Sequence, residues 1–305
     1  MFTCVAVVGS KSALFRAALA SPAVFHVTSE RNYATLKDLS IRLKSVKNIQ
    51  KITKSMKMVA AAKYARAERE LKAARPYGEG AQSLYKNLEL DEKTPKKPQH
   101  LMVLMTSDRG LCGAVHSNIA RMVKADMKEK PSDRNVKMIC VGDKSKALMQ
   151  RFYPQNILLS INEIGRRPPT FEDAATLAQA ILNSGYKFDQ ADVYYNRFKT
   201  VVSYSTLKMP VFSLDSLSAA EKLTLYDSLD NEVIQSYLEY SLASLLYFAL
   251  KESACSEQSS RMTAMDGASK NAGEMIGKLT LYFNRTRQAV ITRELIDIVI
   301  GASAL

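Results

Sequence analysis

The stretch Met265–Ile300, MDGASKNAGEMIGKLTLYFNRTRQAVITRELIDIVI, decides the fold. Within it Met265, Ala268, Ala272, Met275, Leu279, Tyr282, Thr286, Ala289, Arg293, Ile296 and Ile300 follow one another at alternating spacings of three and four. Held for about five heptads, that spacing predicts a coiled-coil helix. Much of the seam is small (Ala268, Ala272, Ala289), and Gly273 and Gly277 lie beside it, so a partner helix is expected to approach closely. After Asp297 the sequence runs out in Ile298-Val299-Ile300-Gly301-Ala302-Ser303-Ala304-Leu305, with no charge. Chain ends are ordinarily polar and frayed. This one reads as an end built to sit inside something.

The partner helix is expected from the other end of the chain. Leu36, Leu39, Leu43, Val46, Ile49, Ile52, Met56 and Val59 recur at helical spacings with one three-residue step too many, which predicts a stammer that overwinds the coil locally. No proline or glycine interrupts residues 34–75, a length of about 60 Å as helix. Pro76, Gly78 and Gly80 are expected to end or kink it, with helical pattern resuming through Leu84 and Leu88. The N-terminal helix is therefore set at 34–92. At the C-terminal side no proline follows Pro210, and one helix from about Ala220 to Ala302 would reach roughly 120 Å, too long for any compact domain of this size to enclose. The C-terminal segment is set at 218–305. The two helices most economically pair antiparallel, with the C-terminal tip projecting beyond.

Between them, residues 99–213 follow another pattern. Leu101–Met105, Val136–Val141 and Ile157–Ile161 read as strands, separated by helical patterns at Val115–Met127 and Ser145–Phe152. A helix follows at Phe171–Leu182, then two closing strands at Asp192–Phe198 and Val201–Leu207. Strands alternating with helices predict a small, mostly parallel sheet with right-handed crossovers. Residues 92–99, with Pro95, Pro98 and three lysines, read as an exposed connector.

Composition narrows the function classes. Of 305 residues, 47% are hydrophobic and 24% charged, as in ordinary globular chains. No apolar run approaches the roughly 20 residues of a membrane span. Cys4, Cys112, Cys140 and Cys255 lack metal-ligand or disulfide spacing, and three histidines do not supply a metal site. The net charge of +13 is concentrated: residues 36–75 carry twelve Lys or Arg against Asp38, Glu68 and Glu70, and no acid occurs from Leu39 to Ala67. Such a stripe suits nucleic acid, anionic lipid or an acidic protein surface; a merely solvated helix face is the bland alternative. Residues 1–33 carry Lys11, Arg16 and Arg31, many Ser and Ala, and no acid before Glu30, which fits a mitochondrial transit peptide.

The motifs carry little chemistry of their own. Thr106-Ser107-Asp108-Arg109-Gly110-Leu111-Cys112-Gly113 joins a strand to a helix but lacks the glycine spacing and the Gly-Lys-Ser/Thr ending of phosphate loops. It reads as a tight turn or an exposed partner-contact loop. Cys112 has no evident histidine partner in sequence. Gly165-Arg166-Arg167-Pro168-Pro169 is a basic loop without assigned chemistry. The Lys44, Lys47, Lys51, Lys54, Lys57 stripe resembles a DNA-binding basic region except that apolar residues interleave throughout it, which a groove-lying helix does not need. Two functions of other classes stay open on these residues: a basic coiled-coil nucleic-acid binder, and an enzyme built on the sheet domain. Arg261, Arg285, Arg287 and Arg293 read as solvated charges unless something encloses the helix.

Four segments carry a family resemblance. The ending Ile291-Thr292-x-Glu294-x-x-Asp297-x-x-x-Gly301-Ala302-x-Ala304 resembles the C-terminal signature of the gamma subunits of F-type ATP synthases. Lys47-Asn48-Ile49-Gln50-Lys51-Ile52-Thr53-Lys54-Ser55-Met56-Lys57-Met58-Val59-Ala60-Ala61 resembles that family's N-terminal helix, Ser107–Gly113 its mid-chain turn, and Ser260-Arg261-Met262-x-Ala264-Met265 the helix before the signature. Together with the transit peptide the chain resembles the mitochondrial form. The resemblance implies a long antiparallel coiled coil of N- and C-terminal helices with an inserted small Rossmann-like α/β domain. It implies a non-catalytic central shaft without cofactor, coupling proton-driven rotation to ATP synthesis or hydrolysis on other subunits, on the matrix side of the mitochondrial inner membrane. Its partners would be three alpha and three beta subunits, the small central-stalk subunits delta and epsilon, and the membrane c-ring, with no nucleic acid. The resemblance places Arg287 and Gln288 against a loop of a beta subunit and Arg109 against an acidic region of beta. It also implies that Arg261, Lys51, Lys54 and the apolar tip residues Ile300 and Leu305 face the alpha/beta ring.

Overall fold

The computed structural model describes residues 35–88, 99–129, 135–218, 223, 226 and 230–304. The transit-peptide reading of residues 1–33, most of the 92–99 connector and Leu305 lie outside them. Helix α1 spans Leu36–Asn87. Strand β1 (Gln99–Met105), helix α2 (Val115–Glu129), β2 (Asn135–Val141), α3 (Asp143–Gln150), β3 (Ile157–Ile161), α4 (Phe171–Leu182), β4 (Gln190–Phe198), β5 (Tyr204–Phe212) and the short α5 (Leu214–Ser218) follow. Helix α6 closes the chain over Asn231–Ser303, 73 residues or ~110 Å.

A capping box starts α1: the Thr35 hydroxyl accepts from the Asp38 amide while Asp38 accepts from the Thr35 amide, both at 3.2 Å. The helix does not end at Pro76. That residue sits on the exposed side of α1, so the carbonyl it orphans faces water, and the ~3 kcal/mol cost of an interior proline is offset by the packing of α1 on α6. At Gly78, two residues on, the two helices approach closely: a Cβ there would lie 2.4 Å from the Phe248 ring. Helix α6 starts at Asn231, after Asp230 in an extended conformation, not near Ala220.

The coil is antiparallel. Tyr85 faces Ser241, Arg75 and Glu252 pair at 3.1 Å, Lys251 and Glu70 at 2.7 Å, and Lys57 and Asp266 at 2.6 Å. Gln50 lies against Gly273. That register sets the start of α1 beside Arg287. From Ile291 to Ala304 every residue is exposed, so ~20 Å of α6 stands alone.

The seam of α1 differs from its apolar pattern. Leu39, Val46, Thr53 and Ala60 are the buried positions, with Leu36, Leu43, Gln50 and Lys57 half-buried between them. This is an unbroken heptad with no stammer, and it runs through polar residues. Ile49, Ile52 and Val59 instead point to solvent, 49%, 57% and 57% exposed. On α6 the half-buried residues beyond Ala272 are Gly273, Ile276, Leu279, Phe283, Thr286 and Val290, while Met275 and Tyr282 are exposed. Both helices therefore carry a second apolar stripe that no other part of the described chain covers.

The sheet order is β3-β2-β1-β4-β5, with β5 antiparallel to β4 and the rest parallel. Alternating residues of β1 divide the core: Leu101, Val103 and Met105 face α4, α6 and the end of α1, and Met102 and Leu104 face α2 and α3. Pro210 is tolerated because β5 is an edge strand. β5 starts later than its sequence pattern suggests, since Val201 and Val202 lie in the turn and the pairing runs from Tyr204 to Phe212.

Candidate functional site

The turn after β1 stands at the carboxyl end of the central strand, beside the point where strand order reverses. Open α/β sheets bind ligands in that crevice. Here α6 fills it. Ser256 donates to the Asn196 carbonyl at 2.9 Å, Ser260 to the Cys112 carbonyl at 2.7 Å, and the buried Glu252 accepts from the Phe198 amide at 2.8 Å. The void left among Ser107, His116, Gly165 and Glu257 is about 20 Å³.

The turn is held from three sides. Gly142 (φ +92°) presses on the Ser107 backbone, and Gly165 (φ +88°) on the Ser107 side chain, so close that a Cβ at either would stand 2.7–2.8 Å away. His116 Nε2 lies 3.1 Å from the Arg109 carbonyl and 3.4 Å from Ser107 Oγ. As a nucleophile–base pair, Ser107 and His116 have unfavourable chemistry. Burial pushes His116 below its ordinary range, and burial pushes the Cys112 thiol up to about 11, leaving almost no thiolate at neutral pH.

Above the turn lies an open groove walled by α1 and α6. Lys51, Ile52, Met56, Val59, Arg109, Leu111 and Arg261 line it. Three of the residues assigned from sequence, Lys51, Arg109 and Arg261, thus come together. Their roles in the fold differ. Arg109 and Lys51 are exposed, whereas Arg261 is 8% exposed, pairs with Glu257 and donates to the Gly110 carbonyl at 3.3 Å. Arg261 therefore ties the turn to α6 rather than standing free as a solvated charge. Leu111, 63% exposed with φ +64°, presents an apolar side chain to the groove from a backbone shape that favours glycine.

Lys54 is exposed on α1 outside the groove's lining, and Arg287 and Gln288 are exposed ~40 Å further along α6. Ile300 is 59% exposed within the bare tip. The geometry therefore offers two contact regions, the groove and the tip, joined by the second apolar stripe. Ile49, Met275 and Tyr282, which the sequence pattern assigned to the seam, and Leu111 of the turn belong to these surfaces instead. The uneven 3-3-3 spacing on α1 was the available signal, since two overlapping stripes on one helix produce it. The basic stripe faces outward as well: Lys44, Lys47, Lys51 and Lys54 are exposed, and Lys57 alone is engaged, holding the Asp266 carboxyl below its usual range together with Lys270. No helix among the described residues is long and apolar enough to cross a membrane.

Comparison with known proteins agrees with this architecture. Residues 35–305 match the family described as ATP synthase. The mitochondrial ATP synthase subunit gamma of Drosophila melanogaster is 58% identical over 94% of this chain and 96% of its own length. The rat F(1) complex subunit gamma is 55% identical over 89% of this chain and all of its own. A chain in the cryo-EM structure of the Tetrahymena thermophila mitochondrial ATP synthase central stalk and c-ring is 33% identical, with TM-score 0.61 over 72% of this chain and 99% of that one. A chain of the Euglena gracilis enzyme, 23% identical, shares the fold with TM-score 0.73. With the match running from residue 35 to 305 and relatives more than half identical over nearly their full length, this chain belongs to the gamma subunits of the mitochondrial ATP synthase, the central stalk of that complex.

Proposed function

We propose that the chain is itself non-catalytic and acts as the rotary shaft inside a ring of three alpha and three beta subunits. The α/β domain would sit below the ring on the membrane c-ring, with the small delta and epsilon subunits beside it, on the matrix side of the inner membrane. The observation that carries this reading is the end of α6, a lone helix that exposes Ile291, Leu295, Ile296, Ile298, Val299 and Ile300 and carries no charge after Asp297. An isolated apolar helix is poorly stable in water and calls for an enclosing sleeve. The uncharged run after Asp297 suits turning, because ion pairs buried in the sleeve would be costly to break at each step. The filled crevice and the protonated Cys112 favour a non-catalytic role.

One asymmetric shaft in a ring of equivalent sites meets each site with a different face. If each face favours a different beta conformation, shaft angle and nucleotide affinity are coupled, and the coupling is reciprocal. The test is to assemble the chain with alpha and beta subunits, attach a bead to the α/β domain and supply ATP. Unidirectional rotation in three repeated steps is expected; hydrolysis with a motionless bead would overturn the shaft reading. In the same assay Arg287→Ala with Gln288→Ala should lower turnover about fivefold or more, the range of typical coupling energies. Unchanged turnover and torque would remove both residues from the mechanism.

A further inference from the structure

The two arginines of the basic loop between β3 and α4 have no part in the contacts described so far, and the loop overhangs a cleft. The cleft, about 180 Å³, lies where the domain meets the coil, on the side of α1 that carries Lys63, Arg66 and Glu70. Its other walls are α6 at Lys251–Gln258 and the loop residues 165–169.

Five cationic side chains line it (Lys63, Arg66, Arg166, Arg167 and Lys251) against two carboxylates, Glu70 and Glu257. Both carboxylates are already engaged. Glu70 accepts from Lys251 and from Arg66, each at 2.7 Å, and Glu257 is paired with Arg261 on its far side. Lys251 is 8% exposed at its side chain, so the floor of the cleft is a buried, compensated pair. Lys63 and Arg167 meet no carboxylate among the described residues. Arg166 reaches only the exposed Glu163, at 3.5 Å. The cleft therefore holds an excess of three positive charges around one small volume, an arrangement that disfavours itself unless an anion enters.

The cations are also held in place. Gly165 is pinned against Ser107 with φ +88°, Pro168 and Pro169 stiffen the chain after the two arginines, and the Thr170–Asp173 capping box fixes the start of α4. A loop anchored at both ends that carries two adjacent arginines loses little freedom on binding. Arginine geometry matches phosphate oxygens in pairs. Ala67, Ala254, Pro168 and Pro169 supply apolar walls between the charged groups.

We propose that this cleft binds a phosphate-class anion, with Lys63, Arg166 and Arg167 as its direct ligands and the Lys251–Glu70 pair as its floor. A bound anion would join α1 and the β3–α4 loop electrostatically, at the junction of coil and domain. The proposal is independent of the rotary reading and stands or falls without it.

The probe is pyrophosphate, added to the full chain and followed by calorimetry and thermal unfolding, with chloride at matched ionic strength as the control. Saturable binding with one site per chain and a rise in Tm are expected, beyond anything chloride produces. Arg166→Ala with Arg167→Ala should weaken binding at least tenfold while leaving the Tm without ligand unchanged, because both side chains are exposed. Lys63→Ala should weaken it by a smaller factor. Pyrophosphate indistinguishable from chloride would overturn the proposal, and so would equal binding by the double variant. Tight binding of polyglutamate without binding of pyrophosphate would also overturn it, assigning the cleft to an acidic protein segment.

Discussion

Glu252 is the residue on which the joint between coil and domain turns. Its side chain is fully buried, accepting from the Phe198 amide at 2.8 Å and from Arg75 at 3.1 Å. Arg75→Ala leaves that carboxylate without its cation and should cost about 3 kcal/mol, read as a lower urea midpoint at unchanged slope. Gly78→Ala drives a methyl into the base of the Phe248 ring rather than its far edge; overpacking of that kind costs roughly 1–3 kcal/mol by the same measurement. Alkaline pH tests the buried thiols and phenols. Burial raises Cys112 from 9 to about 11, Cys255 from 9 to about 12 and Tyr85 from 10 to about 12. The folded state keeps protons that the unfolded chain releases, so their contribution is fully present below about pH 9 and is lost as pH rises through the folded values. The denaturation midpoint should fall between pH 8 and pH 10.5, and Tyr85→Phe should flatten the fall. None of these three roles was legible in the sequence. Arg75, Arg261 and Glu257 look like ordinary helix-surface charges until strands and turns some 120 to 150 residues away are brought against them. Arg261 was expected to face an enclosing ring; its burial against the Gly110 carbonyl is a product of tertiary packing that no local spacing encodes.

Elements were legible in kind and less so in face. Period-2 runs gave the five strands and period-3.6 runs the helices between them, because each element buries one side against a single sheet. The coil helices bury one stripe within the chain and expose another, and an apolar pattern marks both alike. Hence Ile49, Ile52 and Val59 read as seam, while the true seam runs through Gln50, Thr53 and Lys57. Pro76 misled for a related reason: propensity weighs the local cost and not the packing that offsets it. Two predictions belong here. Gly277 has open space around the position of a Cβ, so Gly277→Ala should stabilise the isolated chain by ~0.5–1 kcal/mol. If the same variant slows assembly or turnover, the glycine answers to an enclosing partner. Deleting residues 291–305 should change the denaturation midpoint by no more than ~0.5 kcal/mol, as expected of surface that touches nothing else. A larger loss would mean that the tip folds back on the chain.

At the scale of the molecule, charge and length act together. Lys44, Lys47, Lys51 and Lys54 form an exposed stripe on a stretch of α1 that has no acid, so association with alpha and beta subunits should slow about tenfold or more between low and high salt. A variant with all four changed to Gln should associate slowly at either salt concentration; equal salt dependence in both proteins would show that the stripe does not steer assembly. The fold-class reading succeeded at this scale because a helix of α6's length has few arrangements open to it. The pairing of α1 with α6 also sets a timetable. Lys57 and Asp266 are 209 residues apart in the chain, so α1 stays uncovered until nearly the whole chain is available to it. During that interval its leucine face and lysine stripe are open together, while the sheet domain, made in between, can fold first. A chain delivered N-terminus first therefore passes through a state in which the sheet domain can be complete while its basic arm is still uncovered.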